Sequence, residues 1–208
     1  WGQSDSVDAR DALVTGLLKD RLVPGAQLLD IGGGDGRLAL YLPGLGSYVC
    51  ADYTHAFLRH LPNNGISSGV QCDARQLPFA AGSFDAAVAV GLFQHIAEAR
   101  RVADEIRSAM RPDGLIVINT LRQFTVPELL AILAGSLFAP ERLRLAWAIL
   151  RRDYFSGLTI DGTMVARRYS RRELLDLFGK AREVEVRYDG IGGSALFARE
   201  ITLVLKCQ

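Results

Sequence analysis

The chain has 208 residues, of which 49% are hydrophobic, and a formal net charge of +1. This length and composition predict a single domain with a substantial buried core. The near-neutral charge disfavours a general nucleic-acid binder, because such domains are usually distinctly basic. The three cysteines follow no metal-ligand spacing and no apolar signal segment is visible, so we expect no metal site and a cytoplasmic location.

The first 120 residues alternate between strand-like and helix-like segments. The predicted order is helix 6–20, strand 26–31, helix 36–43, strand 47–51, helix 54–61, strand 69–72, strand 84–90, helix 96–111 and strand 114–120. Such alternation is typical of a parallel sheet with helices on both faces. We therefore expect a doubly wound α/β fold of the Rossmann-like kind.

The first predicted strand runs into a glycine-rich turn, with glycines at 32, 33, 34 and 36. Dinucleotide sites use G-x-G-x-x-G, but Arg37 occupies the place of that third glycine, which disfavours an NAD(P)-dependent oxidoreductase. Asp30 and Asp35 flank the turn, and their carboxylates would repel a phosphate. The turn instead suits a cationic ligand such as S-adenosylmethionine (SAM), which has a sulfonium, an ammonium and no phosphate.

Acidic residues follow the next two predicted strands. Asp52 stands 20 residues after Gly32, where an acid can accept hydrogen bonds from ribose hydroxyls. Asp73 and Ala74 close the third strand, where a carboxylate and a backbone amide could recognise adenine. The alternative for Asp73 is a helix or turn cap.

Four motifs in this order resemble the class I SAM-dependent methyltransferases, particularly the small-molecule, type-11-like enzymes. The motifs are D-x-G-x-G-x-G at 30–36, D-x-x-x-L-P-F at 73–79, S-F-D at 83–85 and R-P-D-G, for the usual R-P-G-G, at 111–114. The resemblance implies a mostly parallel seven-stranded sheet with an antiparallel last strand. It also implies SAM as cofactor and S-adenosylhomocysteine as product. The predicted cofactor-binding residues are Asp30, Gly32, Gly33, Gly34, Asp52, Tyr53, Asp73, Ala74, Val90 and Gly91.

His95 is the predicted catalytic residue. Methyl transfer from a sulfonium is a direct displacement, so the enzyme aligns the reactants and, for a hydroxyl acceptor, removes a proton. His95 follows the fourth strand, and its usual pKa suits a general base. A histidine that only caps or packs is the alternative, and Tyr53, Tyr154 and Tyr169 are lesser candidates for the base.

After residue 120 the alternation stops, and residues 122–168 are expected to form a helical insertion that covers the substrate. Helices are predicted from 125 and through 143–150, followed by a helix capped by Ser170 and closing strands at 183–186 and 195–206. Residues 120–180 hold ten Lys or Arg and six Asp or Glu. This basic, apolar segment suits a lipophilic or anionic acceptor, although a solvated helix face would have the same composition. Its apolar run is too short to span a bilayer but could contact an interface.

Three other functions compete with methylation of a small molecule. A nucleic-acid methyltransferase would be expected to have an N-P-P-Y-like clamp, whereas residues 90–93 read V-G-L-F. A non-catalytic SAM-fold protein acting as a scaffold is disfavoured by the intact acids. An NAD(P)-dependent oxidoreductase is disfavoured by Arg37. The sequence leaves open the acceptor, the atom methylated and the oligomeric state.

Overall fold

The computed structural model describes residues 5–123, 159–160, 163–164, 166–179, 181–190 and 198–207. The helices in this part are α1 (Asp5–Lys19), α2 (His55–Leu58), α3 (Ala99–Ala109) and α4 (Arg171–Phe178), with 3-10 turns at Arg37–Tyr41 and Phe93–His95. The strands are β1 (Gln27–Ile31), β2 (Ser47–Asp52), β3 (Ser67–Gln71), β4 (Phe84–Val90), β5 (Met110–Leu121), β6 (Thr159–Ile160), β7 (Thr163–Met164), β8 (Arg182–Gly190) and β9 (Ala198–Lys206).

Seven strands form one sheet in the order β3-β2-β1-β4-β5-β9-β8. Strands β1 to β5 pair in parallel, and β9 is antiparallel to both β5 and β8. The predicted seven-stranded, mostly parallel sheet with an antiparallel last strand is therefore confirmed. The order of the strands switches direction between β1 and β4: β2 and β3 lie on one side of β1, and β4 and β5 lie on the other. In open α/β sheets, ligands bind beyond the carboxyl ends of the strands at such a point.

Helices cover both faces of the sheet, as predicted. On one face α3 and α4 pack against the strands through buried side chains such as Ile106 and Phe178. On the other face α1 and the first 3-10 turn do the same through Leu18 and Leu38. The central strands have to be apolar on both sides, which explains why β4 reads as an almost continuous hydrophobic run.

Several predicted boundaries were wrong. The expected helix 36–43 is a five-residue 3-10 turn that ends at Tyr41, two residues before Pro43 and Gly44, which do not continue a helix. The expected helix 54–61 is only α2, which ends ahead of Pro62. The third strand begins two residues earlier than predicted. Strand β5 begins at Met110, four residues earlier than predicted, because Met110 pairs with Phe84 ahead of an irregularity in the β4–β5 register.

The predicted insertion is only partly described. The helices expected from 125 and through 143–150 lie outside the described residues. The described remainder is extended: β6 and β7 form a hairpin, and Tyr169 makes a parallel bridge with Arg122 beside the end of β5. These described residues are not helical, and the helical insertion as a whole stays a prediction. In the sequence, the two strands are separated by Asp-Gly at 161–162, a dipeptide typical of hairpins that the sequence analysis did not consider.

Candidate functional site

A cavity of about 460 Å³ lies at the carboxyl ends of β1, β2 and β4 and beside the loop after β3. Six predicted site residues line it, namely Gly32, Asp52, Tyr53, Asp73, Ala74 and His95. The other lining residues are Ile31, Ala51, Cys72, Arg75, Leu92, Ile96 and Ala97. Predicted residues from four segments of the chain, separated by up to 63 positions in the sequence, thus line one cavity.

The glycines of the turn are required for different reasons. A Cβ at Gly33 would lie 2.5 Å from Cγ of Asp30 and 2.8 Å from Sγ of Cys50, so close packing demands glycine there. Gly34 has φ +59°, and a Cβ on it would meet no atom within 4 Å. At Gly34 it is therefore the backbone conformation that favours glycine, and the space beside it is open.

Asp52 connects the end of β2 to the glycine turn. Its Oδ2 accepts a hydrogen bond from the Gly34 backbone N–H at 3.0 Å, and its Oδ1 accepts one from Thr54 N–H at 2.7 Å. These donors fix the carboxylate at the cavity wall. An ionised carboxylate has about four acceptor positions, so two remain for donors on a ligand.

Asp30 lies beneath the turn and does not line the cavity. Its side chain is buried, its Oδ2 accepts a hydrogen bond from the Tyr48 hydroxyl, and its Oδ1 has no hydrogen-bond partner within the described residues. Burial raises the pKa of Asp30 to about 7, and the nearby carboxylates of Asp11 and Asp52 add to the increase. Asp30 therefore supports the turn from below, and Tyr48 is a partner that sequence reasoning missed.

Asp73 is held by an arginine that the sequence analysis also missed. Arg75 Nη2 lies 2.6 Å from Asp73 Oδ2, and Arg75 Nε lies 3.0 and 3.1 Å from the two carboxylate oxygens. These hydrogen bonds lower the pKa of Asp73 to about 2. A further contact of 2.5 Å joins Arg75 Nη1 to Glu98 Oε2, so the guanidinium is fixed between two acids.

His95 ends the 3-10 turn that follows β4 and is exposed at the cavity wall. Desolvation lowers the pKa of its imidazole, which favours the neutral form that can accept a proton. The side-chain nitrogen of Gln94 lies 3.2 Å from His95 Nε2. Tyr169, a lesser candidate, is fully buried and donates its hydroxyl to the carbonyl of Phe93 at 3.0 Å, so it anchors this turn. Tyr154 lies outside the described residues.

Comparisons with known proteins agree with this geometry. The family described as "Methyltransferase domain" matches residues 29–118, a range that holds most of β1, all of β2 to β4 and every residue that lines the cavity. This range of the chain is therefore similar to methyltransferase domains. A ubiquinone biosynthesis O-methyltransferase from Xanthomonas axonopodis pv. citri is 29% identical over 57% of this chain and 53% of its own length. A demethylmenaquinone methyltransferase from Clavibacter sepedonicus is 32% identical over 50% of this chain and 45% of its own length. The chain thus spans about half the length of these curated relatives.

A solved structure has the same fold as most of this chain. The SAM-dependent methyltransferase from Methanosarcina mazei superimposes with a TM-score of 0.65, over 92% of this chain and 96% of that one. The two sequences are 17% identical, so the likeness concerns the fold alone. The C-terminal strands β8 and β9, which lie beyond residues 29–118, are part of the same sheet as β1 to β5.

Helix α1 lies outside the matched range, but it brings Arg10 to the end of β4. A Cβ on Gly91 would lie 3.7 Å from Arg10 Nη1, so the guanidinium stands beside the end of β4. Arg10 Nε makes no hydrogen bond within the described residues, but it lies 3.9 Å from Asp11 Oδ1, and Nη1 lies 3.6 Å from Glu200 Oε1. Gly91 has φ +67° and donates its N–H to the carbonyl of Asn119. Val90 and Gly91 are adjacent to the cavity lining without belonging to it.

Arg37, which replaces the third glycine of the dinucleotide pattern, pairs with α1. Its Nε lies 2.7 Å from Oδ2 of Asp11, whose side chain is almost completely buried. This ion pair ties α1 to the residue that follows the glycine turn. Arg10 lies next to Asp11 in the same helix, so the pair also orders the cation at the end of β4.

The cysteines have no evident role in the site chemistry. Cys50, Cys72 and Cys207 are free thiols, and burial raises the pKa of each. Over the described ranges, no group of three His, Cys, Asp or Glu side chains is arranged to bind a metal ion. Over the same ranges, no helix is long and apolar enough to cross a membrane.

Proposed function

We propose that this chain binds SAM in the cavity and transfers its methyl group to a small molecule. The observation that carries the proposal is the arrangement at the strand ends: a glycine turn and two fixed carboxylates line one cavity, and the Arg10 guanidinium stands nearby at the end of β4. These groups match the polar parts of SAM one by one. Asp52 has free acceptor positions for the ribose hydroxyls. The oxygens of Asp73 are engaged by Arg75, and this fixed pair forms the part of the wall where the adenine would lie.

Arg10 supplies the charge that the amino-acid part of SAM requires. Its Nε makes no hydrogen bond among the described residues, and its ion pairs with Asp11 and Glu200 are long, at 3.9 and 3.6 Å, so a carboxylate ligand would supply the closer acceptor that this buried N–H lacks. The ammonium would lie near the carbonyl groups at the end of β4, close to Val90 and Gly91. The open space beside Gly34 leaves room for the chain of the methionine part.

The residues of this chain align the reactants, exclude water and remove a proton. SAM supplies a methyl group that its sulfonium already activates. Leu92 and Ile96 form apolar parts of the wall on either side of His95 and keep water from the reacting atoms. Because its pKa is lowered, His95 is in the form that can take a proton from a hydroxyl acceptor at neutral pH.

The nature of the acceptor is proposed from the comparisons. The two relatives are named for ubiquinone biosynthesis and for demethylmenaquinone. They support a small organic acceptor for this chain, and they leave oxygen and carbon methylation both open. A scaffold protein that binds SAM without turnover is the main alternative.

The test combines binding and turnover. With methyl-labelled SAM and an extract of small metabolites, the wild-type protein should move label into small molecules. His95→Gln should keep its affinity for SAM and lower turnover on the order of 10²–10⁴-fold if the acceptor is a hydroxyl. Binding of SAM without label transfer would support the scaffold alternative, and full turnover by His95→Gln at every pH would remove the histidine from the mechanism.

A further inference from the structure

The segment that leads into Tyr169 is attached directly to the turn that carries His95. The backbone N–H of Arg167 donates to the carbonyl of Gln94 at 3.0 Å. Two residues later, Tyr169 bonds to Leu121 and Gln123 at the carboxyl end of β5. The Arg167 backbone is therefore fixed beside the proposed base, on the side of the site that faces β5.

The Arg167 side chain is also held. Its guanidinium carbon lies 4.7 Å from the centroid of the Tyr169 ring. That ring is fully buried and packs edge-on against Phe93, with centroids 6.4 Å apart. A guanidinium stacked on an aromatic face keeps its N–H donors at the edge of its plane, where they can bind two oxygens at once.

The Arg167 guanidinium forms no ion pair with a described acid. In the part of the chain that the structure describes, no acidic side chain lies within ion-pair distance of Arg167, in contrast to Arg75 and Arg171. The N–H donors of this guanidinium are therefore left for an anionic ligand.

We propose that the methyl acceptor carries a carboxylate or a phosphate and that Arg167 binds this group. The inference rests on the proposed function, because it concerns the substrate of the same site. An arginine fork recognises both anions through two parallel N–H···O bonds. The acceptor would then lie with its acidic group on Arg167 and its methylated atom toward His95 and the cavity.

Arg167 is a binding residue in this account and takes no part in proton transfer. Arg167→Gln should therefore raise the acceptor KM about tenfold to a hundredfold, as expected for the loss of a charge-assisted hydrogen bond. The kcat at saturating acceptor and the Kd for SAM should stay near their wild-type values. Arg182→Gln is the matched control, because Arg182 is exposed at the start of β8, at the opposite end of the sheet.

The experiment incubates the protein with methyl-labelled SAM and a metabolite extract divided into three portions. One portion is untreated, one has its carboxylates capped as methylamides, and one is treated with phosphatase. Labelled products are separated by anion exchange at pH 8. We expect the label in retained, anionic products, its loss in one treated portion, and reduced labelling by Arg167→Gln but not by Arg182→Gln.

The outcomes separate this inference from the proposed function. Loss of label after capping identifies a carboxylate, and loss after phosphatase identifies a phosphate. Label that appears only in neutral or cationic products, or equal labelling by Arg167→Gln, would overturn the inference and leave methyl transfer intact. Binding of SAM by calorimetry with no label in any portion would contradict methyl transfer, and the inference with it.

Discussion

At the residue scale, Gly34 and Gly82 form a matched pair. Both have positive φ, +59° and +68°, and at both a Cβ would meet no atom within 4 Å. Replacing either with alanine should cost about 1 kcal/mol of stability through the backbone conformation alone. Gly34, however, borders the proposed methionine site, whereas Gly82 lies in the turn before β4.

We expect Gly34→Val to fold without binding SAM, because its side chain would occupy the space of the cofactor. Gly82→Val should fold and bind SAM normally. Thermal unfolding monitors the fold, and calorimetry monitors the affinity. A Gly34→Val protein that retained wild-type affinity would show that the turn does not approach the cofactor. Gly33→Ala should be less stable than either alanine variant, because its Cβ meets Asp30 and Cys50.

The pKa of Asp30 gives a second prediction at this scale. Its carboxyl keeps a proton in the folded protein up to about pH 7, whereas the unfolded chain releases it near 3.8. The folded state therefore binds more protons between these values, and the free energy of unfolding falls as pH rises through about 7. Asp30→Asn retains an acceptor for Tyr48 without this titration.

Asp30→Asn should therefore be more stable than the wild type at pH 8, on the order of a few kcal/mol, and the difference should vanish near pH 4. Unfolding midpoints of both proteins across pH 4–9 provide the comparison. Two curves that run parallel over this range would mean that Asp30 does not titrate there.

At the scale of elements, α1 completes a site that the glycine turn begins. Arg10 and Asp11 are neighbours in this helix; one stands beside Gly91 and the other pairs with Arg37. If Arg10 binds the methionine carboxylate, Arg10→Gln should weaken S-adenosylhomocysteine about tenfold or more. Methylthioadenosine, which lacks the amino-acid part, should bind both proteins equally.

Calorimetry with the two ligands tests this role directly. Equal losses for both ligands would indicate that Arg10 acts on the fold of the site and not on the carboxylate. Arg172→Gln, which removes an exposed charge from α4, is the control for the change in net charge.

Elements differ in how far local sequence specifies them. The apolar strands β1 and β4 were predicted within a residue, because a strand buried on both faces leaves an unbroken hydrophobic run. The expected helices after β1 and β2 were overextended, since the proline and glycine residues that follow them were underweighted. The β6–β7 hairpin was missed although its Asp-Gly signal was present.

At the scale of the molecule, the sequence predicted which strand ends line the cavity but not the contacts that hold the side chains there. The order of motifs was sufficient to bring Gly32, Asp52 and Asp73 to one cavity. The pairs Asp30–Tyr48 and Asp11–Arg37 depend on packing between elements, which no local pattern encodes. The Asp73–Arg75 pair could have been predicted more easily, because Arg75 lies only two residues after the acid that it binds.

The central claim, that this cavity is the SAM site, depends most on Asp52. Calorimetric titration of SAM into the wild type, Asp52→Ala and Asp104→Ala tests it, with Asp104 as an exposed acid on α3 outside the cavity. We expect the wild type and Asp104→Ala to bind SAM with a Kd on the order of 10⁻⁵ M or lower. Asp52→Ala should bind at least tenfold more weakly, because charge-assisted hydrogen bonds to the ribose contribute roughly 1.5–3 kcal/mol each. Unchanged affinity in a folded Asp52→Ala protein would contradict the account.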